Sequence, residues 1–138
     1  MKRIYLGLGS NLGVRRRNLS AARRRLRQKG VRILRQSTVI ETEPWGVSDQ
    51  PKFLNQVLEA EWEGTPRQLL RVAKEVEREG GRRPVRRWGP RAIDVDILLF
   101  GEDSVSLPDL VIPHLRIAER PFVLESLEEL GVRPVVHS

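Results

Sequence analysis

The sequence predicts an α+β domain, an antiparallel sheet with helices packed on it, in the order β-α-β-β-α-β-α. Three observations carry this reading. Apolar residues alternate with a period of two in four segments. They recur at helical spacing in three others. Glycine or proline punctuates most of the junctions. The chain has 138 residues, which fits a single domain, 1–138, long enough to bury a core.

The first strand is Ile4 to Leu8, broken by the glycines of Gly7-Leu8-Gly9-Ser10-Asn11-Leu12-Gly13. The spacing G-x-G-x-x-x-G is neither a dinucleotide fingerprint nor a P-loop, so an ordinary strand-to-helix turn is the better reading than a phosphate cradle. Asn18 to Lys29 forms the first helix, with Leu19, Ala22 and Leu26 inward and Gly30 as its stop. Arginines 15, 16, 17, 23, 24, 25 and 27 cover most of its other faces. Such a run could grip nucleic acid, but no aromatic residue interleaves it to stack on bases, and a solvated helix face accounts for it.

Val31 to Glu43 reads as the second strand, stopped by Glu43-Pro44-Trp45-Gly46, and the polar stretch Val47 to Lys52 as a loop. Phe53 to Glu63 is the third strand. Leu54, Gln56, Leu58, Ala60 and Trp62 lie on one face; Asn55, Val57, Glu59 and Glu61 lie on the other. Antiparallel pairing of these strands brings the Thr42 to Trp45 turn near Phe53 and Asn55. An aromatic ring and an amide beside a Pro-Trp turn suit a flat heterocycle as well as a packed strand end.

Thr65-Pro66-Arg67-Gln68 opens the second helix, with Thr65 as N-cap, Pro66 at N1 and Gln68 closing a capping box. Leu69, Leu70, Val72, Ala73 and Val76 form its buried side, and Gly80-Gly81 ends it. Arg82, Arg83, Arg86 and Arg87 then crowd a loop that Pro84 keeps from being helical. Guanidinium forks bind phosphate oxygens in pairs, so this loop suits a lid over polyphosphate or a plain basic surface. After the Trp88-Gly89-Pro90 turn, the fourth strand runs from Ile93 to Phe100 and turns at Gly101-Glu102-Asp103. Leu107 to Ile112 looks irregular, with two prolines close by. Pro121 starts the last helix, with Phe122, Val123, Ser126 and Leu130 roughly along one side and Gly131 as its stop. Split β-α-β units in this order make a ferredoxin-like sheet with its helices on one face, a fold that hosts many functions.

The composition narrows the class. Twenty-five Lys and Arg stand against 18 Asp and Glu, for a formal charge of +7, which favours anionic partners such as a nucleotide polyphosphate or nucleic acid. There is no cysteine, so disulfides and thiolate metal sites are excluded. No apolar run approaches the ~20 residues of a membrane span. Met1-Lys2-Arg3 leads straight into a strand too short for a signal peptide, so a cytoplasmic location is expected.

The chemistry concentrates at Asp94 and Asp96. A period of two puts both carboxylates on one strand face, with Ile93, Val95 and Ile97 on the other. Two carboxylates there repel each other and cost desolvation, so arginine or a bound metal must compensate. Magnesium suits the pattern, because it takes few carboxylates, keeps waters and completes its shell with substrate phosphates. His114 shares a short span with Arg116 and Arg120, which gives it a phosphate-contact reading beside a structural one.

Gly9-Ser10-Asn11-Leu12, Pro51 to Asn55, the run Arg87 to Asp96 (Arg-Trp-Gly-Pro-Arg-Ala-Ile-Asp-Val-Asp), and Pro113-His114 with Arg120-Pro121-Phe122 follow one another over nearly the whole chain. Together they resemble the 6-hydroxymethyl-7,8-dihydropterin pyrophosphokinase family of folate biosynthesis. The resemblance implies transfer of the β,γ-diphosphate of ATP to the pterin hydroxymethyl group, with two Mg2+ ions held by Asp94 and Asp96. It implies a pterin pocket of Thr42, Pro44, Trp45, Phe53, Asn55, Asp94 and Phe122, the two phenylalanines sandwiching the ring. It places Arg91, His114 and Arg120 on the phosphates, Glu77, Trp88 and Ile97 on the nucleotide side, and Arg82 on a catalytic loop. A monomer acting on small molecules, with no nucleic-acid or membrane partner, is expected. Pro84 displaces the second loop arginine, which Arg83 or Arg86 would have to supply. Leu115 stands where an aromatic often follows the histidine, and Glu43 and Trp45 replace a common proline and leucine at the pocket rim. No residue is assigned as general base. The alternative is a basic RNA-binding module of the same fold, but the strands lack its aromatic motif and the aspartate pair would repel a phosphate backbone.

Overall fold

The computed structural model describes residues 1–43, 51–81, 92–117 and 119–132. In chain order these form β1 (Lys2–Ser10), α1 (Arg15–Gln28), β2 (Arg32–Gln36), β3 (Ile40–Thr42), β4 (Phe53–Trp62), α2 (Pro66–Glu79), β5 (Asp94–Phe100), β6 (Val105–Leu107), β7 (Leu110–Ile112), a 3-10 turn (Leu115–Ile117) and α3 (Pro121–Glu129). The main sheet is antiparallel, with order β2-β4-β1-β5 and β3 also paired to β4. The expected α+β class therefore holds.

Alternation divides the sheet's side chains between two apolar clusters. Ile4, Leu6, Leu54, Leu58, Ala60, Val95 and Ile97 meet Leu19, Ala22 and Leu26 of α1 and Leu69, Ala73 and Val76 of α2. On the other face Tyr5, Val57 and Leu98 meet Val123, Leu127 and Leu130 from the α3 region. The expectation of helices on one face is thus corrected: α3 packs opposite α1 and α2. The apolar side of α3 is short, and its periodicity does not reveal which sheet face it seeks.

Other boundaries differ for local reasons. β1 does not break at Gly7 but runs to Ser10, because Gly7 and Gly9 are paired on both sides, to Val57 and Asn55 of β4 and to Asp96 and Asp94 of β5. α1 begins three residues before Asn18, at Arg15. The expected strand from Val31 to Glu43 is two strands. At the interruption Ser37 N–H donates to the Val57 carbonyl (2.9 Å), Val57 N–H donates to Ser37 Oγ (2.8 Å), and Gln56 Nε2 donates to the Ser37 carbonyl (2.8 Å). Side chains there satisfy the backbone that a regular ladder would otherwise serve. The stretch read as irregular holds the turn and second strand of the β6–β7 hairpin, in which Leu107 pairs with Leu110 around Pro108-Asp109; strands of three residues are too short to show a period. The capping box of α2 forms as expected, Gln68 N–H donating to Thr65 Oγ1 (3.1 Å) and Thr65 N–H to Gln68 Oε1 (2.8 Å).

A buried carboxylate ties α3 to the sheet. Glu59 is 4% exposed, accepts Tyr5 O–H at 2.6 Å and takes a fork from Arg35 at 3.0 Å on each oxygen. Arg35 also donates to the Leu130 carbonyl at the end of α3. The hydrogen bonds from Arg35 hold the Glu59 carboxyl below its ordinary range, against the opposing effect of burial. Burial, helped by the hydrogen bond to and charge of Glu59, pushes Tyr5 up to about 12. A depressed carboxyl stabilises the fold above its unfolded value of 4.5 and loses that contribution as pH falls through the folded value. A raised phenol contributes fully below its unfolded value of 10.0, and its contribution declines as pH rises from there toward about 12. Glu59→Gln should therefore cost about 2 kcal/mol at neutral pH. It should also flatten the loss of stability below pH 4.5. Urea unfolding of both proteins across pH checks this, and identical acid slopes would refute it.

Candidate active site

The site is built on the α3 face of the sheet, at the end of β1 where two side chains are missing. Side chains on neighbouring strands line up in rows across a sheet. One row runs Asn55, Gly9, Asp94, and the next runs Val57, Gly7, Asp96. With glycine at both central positions, the middle strand is bare and a trough lies between the amide of β4 and the carboxylates of β5. Two strand spacings put the backbones of β4 and β5 roughly 10 Å apart.

On the β4 wall Asn55 Nδ2 donates to Thr42 Oγ1 at 2.6 Å, and Thr42 pairs directly with Phe53. A side chain added at Gly9 would meet Asn55 Oδ1 at 3.2 Å and the Phe53 ring at 3.4 Å, so both groups lean over the bare strand. The structure thus brings together Thr42, Phe53 and Asn55, as the sequence implied, and offers a ring face beside an amide whose oxygen and nitrogen have separate directions. A flat, polar-edged ligand matches that wall.

On the β5 wall Asp94 and Asp96 are both part-exposed, while Val95 and Ile97 between and beyond them are buried in the α1–α2 core. His114 Nε2 lies 3.7 Å from Asp96 Oδ1, and its backbone N–H donates to the Leu98 carbonyl at 3.0 Å. That backbone bond fastens the segment after β7 along β5 and sets the imidazole beside the acid pair. Among the described residues no group of three or more His, Cys, Asp or Glu side chains gathers to hold a metal. Two carboxylates on one face instead fit a hard cation that takes one or two protein oxygens and draws the rest of its shell from water and substrate phosphate. Magnesium meets that description.

Arg120 and Phe122 stand at the start of α3, with the guanidinium 5.9 Å from the centre of the Phe122 ring. Phe122 packs against the cluster of Tyr5, Val57 and Leu98, which puts it on the trough's side of the sheet. Two residues expected on the nucleotide side lie away from the trough. Ile97 is a core side chain on the far face, and Glu77 is 3% exposed in α2, with its carboxylate on the backbone N–H of Val95. Pro44, Trp45, Arg82, Trp88 and Arg91 lie outside the described residues, as do Arg83, Pro84 and Arg86.

Sequence reading missed Gly7 and Gly9 as parts of the site. Their G-x-G spacing put both on one strand face, but only the pairing register shows that Asn55 and Asp94 flank Gly9. The cradle reading also falls away, since both glycines belong to a paired strand and not to a loop.

Comparison with known proteins adds the family context. Residues 5–132 match the family model described as 7,8-dihydro-6-hydroxymethylpterin-pyrophosphokinase. A 2-amino-4-hydroxy-6-hydroxymethyldihydropteridine pyrophosphokinase of Methylorubrum extorquens is 44% identical over 132 residues, covering 95% of this chain and 84% of that protein. The protein of the same name from Bacillus subtilis is 41% identical over 127 residues, covering 91% and 76%. The chain is also 43% identical over 128 residues to a folate synthesis bifunctional protein of Arabidopsis thaliana, of which it spans only 26%. It therefore spans about a quarter of the length of that longer relative.

Proposed function

The chain belongs to the 7,8-dihydro-6-hydroxymethylpterin-pyrophosphokinase family, and from that premise we propose that it transfers the β,γ-diphosphate of ATP to the hydroxymethyl group of 6-hydroxymethyl-7,8-dihydropterin, releasing AMP. The observation that carries this reading is the trough itself. It sets an amide and an aromatic ring on one wall and two carboxylates on the other, with glycine at both positions of the strand between them.

In this reading Phe53 and Phe122 supply the apolar planes for the pterin, and Asn55, held by Thr42, reads its polar edge. Pro44 and Trp45 close the rim. Asp94 and Asp96 hold two magnesium ions, Asp94 also facing the pterin. Bound magnesium supplies charge neutralisation along the phosphate chain and lowers the barrier to attack on phosphorus. His114 and Arg120 contact phosphate oxygens. Arg82 and Arg91 neutralise the charge that develops on the transferred group, and Trp88 lines the nucleotide side. The hydroxymethyl oxygen forms a bond to the β-phosphorus as the bond from that phosphorus to the oxygen bridging the α-phosphorus breaks. AMP leaves with that oxygen, and the hydroxyl proton is released to solvent. Such in-line transfer needs positioning and charge neutralisation far more than a covalent enzyme intermediate.

The same reading takes the sheet as ferredoxin-like, which the order β2-β4-β1-β5 supports, and the protein as a monomer acting on small molecules. The RNA-binding alternative has no support from the comparisons. Incubation with ATP, magnesium and the hydroxymethyl dihydropterin should yield AMP and the pterin diphosphate in equal amounts. Release of ADP, or no transfer, would overturn the proposal.

A further inference from the structure

Among the described residues β5 is the last strand of the main sheet, and no described strand pairs with its outer edge. Val95, the residue between the two aspartates, has its N–H satisfied from α2 instead: it donates to Glu77 Oε2 at 2.9 Å. Glu77 is 3% exposed, and Lys74 Nζ stands 3.6 Å from its other oxygen. Burying a carboxylate costs several kcal/mol unless it is well partnered. One partner here is the peptide that joins Asp94 to Val95, and its tilt sets the direction in which the Asp94 and Asp96 side chains leave the strand. A charge-assisted bond to that amide is roughly twice as strong as a neutral one. Gly80, three residues on from Glu77, has Ile93 packed so closely that an added Cβ would fall 2.5 Å from its Cγ2. The helix end therefore seats the strand's start both by packing and by this bond.

We propose that Glu77 is a positioning residue for the Asp94–Asp96 pair, acting through the Val95 amide from the face of the sheet opposite the site. Its work is to fix the peptide between the carboxylates so that both hold one orientation toward a divalent cation. This rests on the proposed function for its catalytic consequence; the bond to Val95 and its effect on cation binding do not depend on it. Groups that orient metal ligands from behind affect metal affinity by about 10- to 100-fold.

The test compares the full chain with Glu77→Gln, which keeps an oxygen acceptor, and Glu77→Met, which keeps the volume without one. Three measurements are made: hydrogen exchange at the Val95 amide, the dissociation constant of Mn2+ in the presence of a non-hydrolysable ATP analogue, and steady-state kinetics for kcat and KM. Glu77→Met should speed Val95 exchange at least tenfold. It should raise the Mn2+ constant about 10- to 100-fold and leave the pterin KM within about twofold. Glu77→Gln should stay within about threefold of the parent in all three, because its amide oxygen still accepts the bond. An unchanged Mn2+ constant in a cooperatively folded Glu77→Met protein would overturn the proposal. So would a folded Glu77→Gln protein whose Mn2+ constant rises tenfold or more, and that measurement against the parent stands even if Glu77→Met does not fold. If the parent protein makes no AMP, the functional reading fails, while Val95 exchange and Mn2+ binding still judge the role of Glu77.

Discussion

Asp96→Asn is expected to lower kcat by about 10^3-fold, the equivalent of about 4 kcal/mol of transition-state stabilisation lost with a metal-holding carboxylate. Asparagine keeps the shape of the side chain and removes its charge, so the loss isolates charge from packing. The fold should not suffer. Asp96 is 40% exposed at its side chain, and among the described residues its ion-pair approach is to His114 at 3.7 Å. Surface substitutions of this kind usually move stability by no more than ~0.5 kcal/mol. Removing one of two like charges on the same strand face also relieves repulsion. Tm should therefore stay level or rise slightly while turnover collapses, and pterin affinity, which belongs to the other wall of the trough, should change by less than about threefold. Quenched-flow measurement of AMP formation, with a thermal melt and a calorimetric pterin titration, separates the three quantities. A kcat within tenfold of the parent would remove Asp96 from the metal site.

Much of this arrangement was legible in the chain, and the parts that were not share a physical cause. The pair Asp94 and Asp96 could be placed on one face because a strand has a period of two. The Thr42–Asn55 proximity followed from pairing two adjacent strands, and the register bears it out with Ile40 opposite Asn55 and Thr42 opposite Phe53. What a period cannot give is the order of strands that are distant in sequence. β1 lies between β4 and β5, and nothing local in either partner announces that. Hence Gly7 and Gly9 were read as turn residues, although their work is to leave the central strand bare. The bond from Glu77 to the Val95 amide was hidden for the same reason, since the position of Glu77 in α2 says nothing about which backbone edge it covers. The face chosen by α3 and the split between β2 and β3 depend likewise on contacts from far along the chain, Arg35 to the Leu130 carbonyl in one case and Ser37 to Val57 in the other.

If the bare strand is what makes room for the ring, filling it should cost pterin binding and little else. Gly9→Val tests this. Gly9 is not among the glycines with positive φ, so its backbone conformation is open to other residues, and valine is favoured in strands. The penalty then falls on the site. The new Cβ would sit 3.2 Å from Asn55 Oδ1 and 3.4 Å from Phe53 Cδ1, and the two methyl groups would extend further into the trough. Asn55 is held from behind by Thr42 at 2.6 Å and has little room to yield. Displacing it forfeits hydrogen bonds worth about 1–3 kcal/mol when left unmade, and crowding adds a comparable cost. A total of about 3 kcal/mol corresponds to a pterin Kd raised roughly 100-fold. Affinity for a non-hydrolysable ATP analogue with magnesium should stay within about threefold, because the carboxylate wall is untouched. Gly7→Ala is the graded comparison: its Cβ would lie 3.5 Å from Leu98, an ordinary contact, so its effect on the pterin should be far smaller. Equal losses of pterin and nucleotide in Gly9→Val would mean that the substitution had disturbed the sheet as a whole. Unchanged pterin affinity would mean that the ring does not lie over Gly9, and the trough would have to be given up as its seat.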